Sequence, residues 1–295
     1  MSTFDQLADA TILDLYGYTQ LQDQATHLTA NVSSAASVFP VADTTAVSRG
    51  TIEIGDELVW VDDVALQTSS LMIAPYGRGF RGTSATSHTA GTRIVSSPMF
   101  PRARVKQALN DAILAVYPDL HGVGVTEFLW NPSRNTYPLT DPALDILSVT
   151  HSTVGPSKEW LPCRRYRLDR NANMTEFTSG ASISIYERIT PGRTVKVVYA
   201  KQPVRIGAGD DFSDTGLPAS SEDVIRLGAQ YRLIPMVQNP QLSGMSAEAD
   251  FAARQNPIGS AVSIGRYILQ MYQVRLAEES RRQRSLYNDR SHYTR

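Results

Sequence analysis

Gly50-Thr-Ile-Glu-Ile-Gly-Asp-Glu-Leu-Val-Trp-Val61 is followed closely by Tyr76-Gly-Arg-Gly-Phe-Arg-Gly-Thr-Ser-Ala-Thr-Ser-His88 and by Ala90-Gly-Thr-Arg-Ile-Val95. The run from Thr51 to Val61 alternates apolar with polar residues, the period of a strand with one buried face, and the Gly- and Ser-rich pieces after it read as turns. Together with Val38 to Val41 and Ser70 to Ala74, these pieces make residues 28–100 a small β module.

Helices are expected on both sides of it. Phe4, Leu7, Ala8, Thr11 and Leu15 recur at helical spacing, with Thr3 and Gln6 placed as a capping box and Gly17 as a stop. After Pro101, Val105, Ala108, Leu109, Ala112, Ile113 and Val116 form one apolar stripe, which Pro118 ends. A second β-rich stretch follows, with strands near Thr126 to Trp130, Ile146 to His151, Trp160 to Arg167, Ser182 to Ile189 and Thr194 to Tyr199.

The last third is helical again. Ser220 and Asp223 have capping spacing ahead of Val224, Leu227, Tyr231 and Ile234, and Pro235 should kink or end that helix. A polar loop from Asn239 to Pro257 leads to a final helix with Ile258, Ala261, Val262, Gly265, Ile268, Leu269, Tyr272 and Leu276 on one face.

Helices with one apolar face must bury it on another element. The fold class read from this order is α+β, a helical bundle of about four helices with two inserted β-rich modules, one small and one β-sandwich-like. The expected divisions are 1–27 (N-terminal helix and linker), 28–100 (small β module), 101–118 with 218–276 (bundle core), 119–217 (inserted β domain) and 277–295 (basic polar C-terminal arm).

Composition excludes several function classes. Twenty-eight basic against 29 acidic residues give a net charge of -1, so no global field draws the chain to nucleic acid or an anionic membrane. The lone Cys163 cannot form an internal disulfide, which fits assembly in a reducing cytoplasm. Met1 to Asp9 lacks the basic and apolar regions of a signal peptide, and no window approaches the roughly 18 apolar residues of a membrane span.

Catalytic and cofactor motifs fare no better. Gly77, Gly79 and Gly82 match the spacing of a dinucleotide fingerprint, whose chemistry requires a helix opening at the third glycine; a Thr- and Ser-rich run follows instead. A Gly-rich turn exposing Arg78, Phe80 and Arg81 accounts for the same residues. The five histidines show no metal-ligand spacing, Cys163 has no nearby histidine, and Asp62-Asp63 and Asp210-Asp211 read as solvated turn acids. No catalytic residue, cofactor or metal ligand is assigned.

Two basic stretches remain. Arg164, Arg165 and Arg167, with Arg170, surround Tyr166; strand alternation splits them between faces, so an ordinary charged edge strand competes with a role in contacting passing DNA. Residues 275–295 carry six arginines and little to bury. They read equally as a frayed tail or as an arm that orders on a partner.

The stretches Gly50 to Val61, Tyr76 to His88 and Ala90 to Val95 resemble a β module of structural proteins in tailed bacteriophages, with the pattern R-G-x-x-G-T-x-A-x-x-H-x-x-G-T. The helical frame and basic terminal tail resemble the head-to-tail connector (adaptor or neck) proteins of those particles. Asp9 to Gln24 resembles neck proteins of long-tailed actinobacterial phages. That resemblance implies a non-enzymatic subunit of a ring, twelvefold by family, located in the neck of the virion and assembled in the host bacterial cytoplasm. Its implied partners are further copies of itself, the portal protein, a stopper or tail-completion protein and, transiently and without sequence preference, double-stranded DNA.

On this reading Arg281, Arg282, Arg284, Tyr287, Arg290 and Tyr293 meet the portal. Arg78, Phe80 and Arg81 meet a neighbouring subunit, and Arg164, Arg165 and Arg167 face the DNA channel. The alternative is a tail fibre, baseplate or other minor tail protein touching the host surface, and a third reading is an enzyme without a legible motif.

Overall fold

The computed structural model describes residues 2–18, 23–153, 159–237 and 260–287. The chain is α+β, with four α-helices among the described residues: α1 (Phe4–Tyr16), α2 (Arg102–Ala115), α3 (Glu222–Val237) and α4 (Ser260–Leu286). It divides into two compact units. One comprises residues 1–3, 112–225 and 271–295, the other 4–111 and 226–270. These divisions fall inside α2, α3 and α4.

The unit containing residues 4–111 is built on one six-stranded sheet. Its strands are β1 (Gln24–His27), β2 (Val38–Pro40), β3 (Gly50–Ile54), β4 (Glu57–Ala65), β5 (Ser70–Ile73) and β6 (Arg93–Ser96), in the spatial order β1-β6-β3-β4-β5-β2. The alternating run Thr51 to Val61 is thus a hairpin rather than one strand: Ile54 pairs with Glu57, and Gly55 turns the corner at a φ of 60°. The sheet also starts earlier than expected. Gln24 pairs with Ser96, so the first strand lies inside the stretch read as linker.

The sheet curls until its outer strands meet at one corner. Leu28 bridges Val41, and Thr29 N–H reaches Pro40 O at 3.0 Å. Inward-facing Leu28, Phe39, Ile52, Ile54, Val59, Val61, Leu71 and Ile94 are all fully buried or nearly so and fill the half-barrel. Burying one such side chain stabilises by about 1.5–3 kcal/mol, so these residues also set the register of each strand. Phe4, Leu7, Ala8, Thr11 and Leu15 of α1 are buried, the stripe that its sequence spacing predicts.

The other unit holds two sheets over one core. Strands β7 (Gly122–Leu129), β9 (Ala143–Ser152), β10 (Trp160–Pro162) and β13 (Thr194–Lys201) form a four-stranded sheet in the order β10-β9-β13-β7. Strands β8 (Thr136–Pro138), β11 (Tyr166–Asp169) and β12 (Ser182–Ile185) form a three-stranded one. Trp130, Tyr137, Ile146, Val149, Ile183, Ile185, Val195, Val197 and Tyr199 share the core between them. The stretch Trp160 to Arg167, expected as one strand, breaks at Cys163 and feeds both sheets. Tyr199 lies directly beneath Gly124, where any Cβ would sit 2.4 Å from its ring.

Two helix ends depart from expectation. Pro235 does not stop α3, which runs to Val237. The last helix continues ten residues past Leu276, to Leu286. The polar loop expected from Asn239 to Pro257 lies outside the described residues.

Candidate interaction surfaces

Glu57, the first residue of β4, has a side chain with no solvent exposure, and nearly every polar group of the motif after it converges there. Arg78 meets the carboxylate with two nitrogens, Nε to Oε1 at 2.7 Å and Nη2 to Oε2 at 2.9 Å. The backbone N–H groups of Gly79 and Thr86 donate to the two oxygens at 3.0 Å each, and His88 Nε2 lies 2.9 Å from Oε2. Burial pushes this carboxyl up, but Arg78, Thr86, His88 and Gly79 outweigh it and hold it down at about 2. The glycine at 79 is required: its φ is 60°, and a Cβ there would strike Thr83 O at 2.7 Å.

This geometry accounts for the motif as a cross-brace. Arg78 Nη1 donates to Ser33 O at 2.7 Å, and the guanidinium lies 5.0 Å from the centre of the Phe39 ring. Thr83 Oγ1 accepts the Leu58 N–H at 3.0 Å, and His88 exchanges backbone hydrogen bonds with Val32 at 2.9 Å. The Gly77 to Gly82 spacing opens a short 3₁₀ turn, Phe80–Gly82, in place of the helix that a dinucleotide site needs.

The exposed turn expected at Arg78, Phe80 and Arg81 is corrected in part. Arg78 is only 12% exposed, because a buried carboxylate must be paired. Phe80 is half-buried against Trp60, with ring centres 5.3 Å apart, and Arg81 alone is exposed. Sequence reading missed Glu57 itself; an acid at the head of an apolar strand, followed by a motif with one Arg and one His, was the available signal.

A second charge network ties α1 to the start of α2. Arg102 bonds Asp5 at 3.1 Å and Asp56 at 2.9 Å and also pairs with Asp9, while Lys106 reaches Asp5 at 2.6 Å. Glu53 Oε2 accepts the Arg102 N–H. Burial pushes the Glu53 carboxyl up to about 7 despite Arg102, helped by the charges of Asp23 and Asp56. The paired acids of the sequence divide. Asp62 and Asp63 lie within β4, at the register shift after Val61, and not in a turn; Asp62 pairs with Arg49 at 2.7 Å and Asp63 accepts the Val64 N–H. Asp210 does serve a turn and accepts the Gly207 N–H at 2.7 Å. Among the described residues no group of three or more His, Cys, Asp or Glu is placed to hold a metal ion, and no helix is long and apolar enough to cross a membrane.

Arg164, Arg165 and Arg167 are all exposed. Arg164 and Arg165 precede β11, so strand alternation does not apply to them; within that strand Tyr166 and Leu168 turn to the core and Arg167 outward. Cys163, beside them, is buried, and burial together with Glu187 pushes its thiol up to about 12, the opposite of an activated nucleophile.

The end of α4 carries the largest revision. Residues 277–286 have a face to bury after all, and it is polar: Glu279, Ser280 and Gln283 are 5–6% exposed. Gln283 bonds the backbone of His121 twice, accepting its N–H at 3.2 Å and donating to its carbonyl at 2.6 Å. Ser220 donates to Glu279 at 2.8 Å, and Arg275 pairs with Asp223 at 2.8 Å. Arg281, on the opposite side, is exposed. Arg282 and Arg284 are exposed as well; they flank the buried face and pair with Glu279 at 3.6 Å and Asp119 at 4.0 Å, and Tyr287 is half-buried. Arg290 and Tyr293 lie outside the described residues.

A protein-family model described as SU10 adaptor protein matches residues 88–281. No curated protein matches the chain.

Proposed function

The chain belongs to the SU10 adaptor protein family, and from that premise we propose that it is a non-enzymatic virion subunit, forming a ring between the portal and the stopper or tail through which DNA passes. The reading of the four helices as a bundle with two β insertions goes with this proposal.

One observation carries the portal contact. The last turns of α4 are anchored on one side by Glu279 and Gln283, so Arg281, Arg282 and Arg284 stand on a fixed helix face. Arginines held in place lose less freedom on binding than those of an unstructured tail, and arginine is favoured at binding hot spots. Arg164, Arg165 and Arg167 supply a local positive patch on a chain of net charge -1, which suits DNA that slides without being gripped.

The test is an Arg281→Glu, Arg284→Glu double variant mixed with portal-bearing heads that lack the adaptor. Wild-type protein is expected to sediment with the heads and the variant to stay free, with unchanged thermal melting. Sedimentation of the variant at wild-type levels would end the portal role of this face.

A further inference from the structure

The unit built from residues 4–111 and 226–270 carries a cavity of about 540 Å³, within the range of roughly 300–1,000 Å³ typical of ligand pockets. Its base is apolar: Leu58, Phe100 and Leu233 are buried, and Met99 and Ala103 are half-buried beside them. Its mouth is basic. Arg81, Arg104 and Gln107 are exposed there, and no acidic residue lines the wall. In a chain of net charge -1 this is a local excess of positive charge, which favours an anionic occupant over a cationic one.

The mouth is also where the backbone is strained. Among the described residues only four other than glycine have a left-handed φ, and two of them belong here, Arg81 at 55° and Ser97 at 48°. Arg81 lines the cavity itself, and Ser97 leads directly into its wall at Pro98. Residues with a Cβ adopt this conformation at a cost, and such strain gathers where a protein clamps a ligand. No ion pair offsets it at Arg81: the guanidinium lies 5.5 Å from the centre of the neighbouring Phe80 ring and meets no carboxylate among the described residues. Arg104, in the first turn of α2, is steadied by Gln107, whose Oε1 accepts its Nη1–H at 2.6 Å. The Gln107 amide nitrogen keeps its N–H groups for another acceptor.

We propose that this cavity receives a short acidic and apolar stretch of a different polypeptide, a large aliphatic or aromatic side chain entering the base while a carboxylate beside it is held by Arg81 and Arg104. A bare phosphate or a nucleic-acid backbone would answer the arginines and leave the apolar base unfilled. A fatty acid would fill the base but brings no backbone carbonyl for Gln107, whereas a peptide has one at every residue. Arginine beside a desolvated apolar pocket is also the composition of a binding hot spot. The inference stands on the cavity alone and does not rest on the adaptor reading.

The experiment selects random short peptides on the full-length chain, with Ala103→Trp, which fills the cavity from α2, as the counter-selection. Enriched peptides are expected to carry leucine, methionine or phenylalanine close to aspartate or glutamate. Binding of an enriched peptide, followed by fluorescence polarisation, should weaken at least tenfold when its acids are replaced by their amides, and at least tenfold in Arg81→Gly. The latter variant separates binding from folding, because glycine relieves the left-handed backbone: its thermal midpoint should hold or rise while its affinity falls. Enrichment without acids, equal binding by Arg81→Gly, or equal selection on an Ala103→Trp chain that melts like wild type would each overturn the proposal; should Ala103→Trp not fold, the Arg81→Gly comparison decides alone. A selection that enriches nothing would overturn it too. So would displacement of the peptide by dodecanoate at lower concentration than by unlabelled peptide, which would mark a fatty-acid site instead.

Discussion

Arg78 lies side-on to Glu57, two nitrogens against two oxygens, at a point where the carboxylate has no contact with solvent. A buried charge of this kind contributes little net stability as a pair but is costly to leave alone, because the remaining partner cannot return to water.

Arg78→Ala is therefore expected to destabilise the protein by about 3–5 kcal/mol, read as a lower urea midpoint. Arg78→Lys should recover only part of this, since an ammonium cannot bond both oxygens at once. Equal midpoints for Arg78→Ala and wild type would contradict the cross-brace.

Two glutamates give opposite pH behaviour. Glu57 is held near 2 instead of its ordinary 4.5, so its stabilisation is complete above pH 4.5 and is lost as pH falls through about 2. Glu53 is pushed up to about 7 from 4.5. Between those values the folded chain keeps a proton that the unfolded chain has released, so stability falls as pH rises through the window. Glu53→Gln keeps an acceptor for the Arg102 N–H and removes the penalty. Urea titrations should find it neutral at pH 4 and more stable than wild type by about 1–3 kcal/mol at pH 8. An advantage independent of pH would refute the assignment.

Gly124→Ala forces a Cβ to within 2.4 Å of the Tyr199 ring. Overpacking of this kind costs about 1–3 kcal/mol, or more where nothing can shift. Tyr199 also bonds Asp141 and Thr126 through its hydroxyl, which limits its retreat. Tyr199→Leu alone should be destabilising too, yet the double variant should lose less than the two single losses added, because the small side chain makes room. Thermal melts of the four proteins decide it, and simple additivity would mean that the two residues do not conflict.

Gln283→Ala removes two hydrogen bonds from the buried backbone of His121 and should cost about 1–3 kcal/mol. Amide exchange along residues 279–286 should speed up in this variant. Arg281→Glu, on the exposed side of the same helix, should leave that exchange unchanged; acceleration by both variants alike would mean that the helix end is not held by Gln283.

What the sequence made legible followed from apolar spacing. The stripes Phe4 to Leu15 and Val105 to Val116 became α1 and α2, and the runs near Ile146 and Thr194 became β9 and β13, because burying those side chains favours one period over the other. Glu57, Glu279 and Gln283 stayed hidden for the converse reason. Each is buried through hydrogen bonds rather than through hydrophobicity, so a reading that equates polar with exposed assigns them to the surface. Arg78 looked available and Arg281 looked disordered on the same ground. The division of Trp160 to Arg167 between two sheets was equally invisible, since it depends on which distant strands offer partners.

Gln24 and Ser96 are opposite one another in the register of β1 and β6. Residues so paired have their Cα atoms only about 4.5–5.5 Å apart, a gap near that between consecutive residues. The half-barrel therefore enters and leaves its sheet at one doorway, carrying its own core and its own ion cluster. A segment built this way can be spliced into an unrelated polypeptide at a single peptide junction, much as a page is tipped into a book, without prising the host's own elements apart.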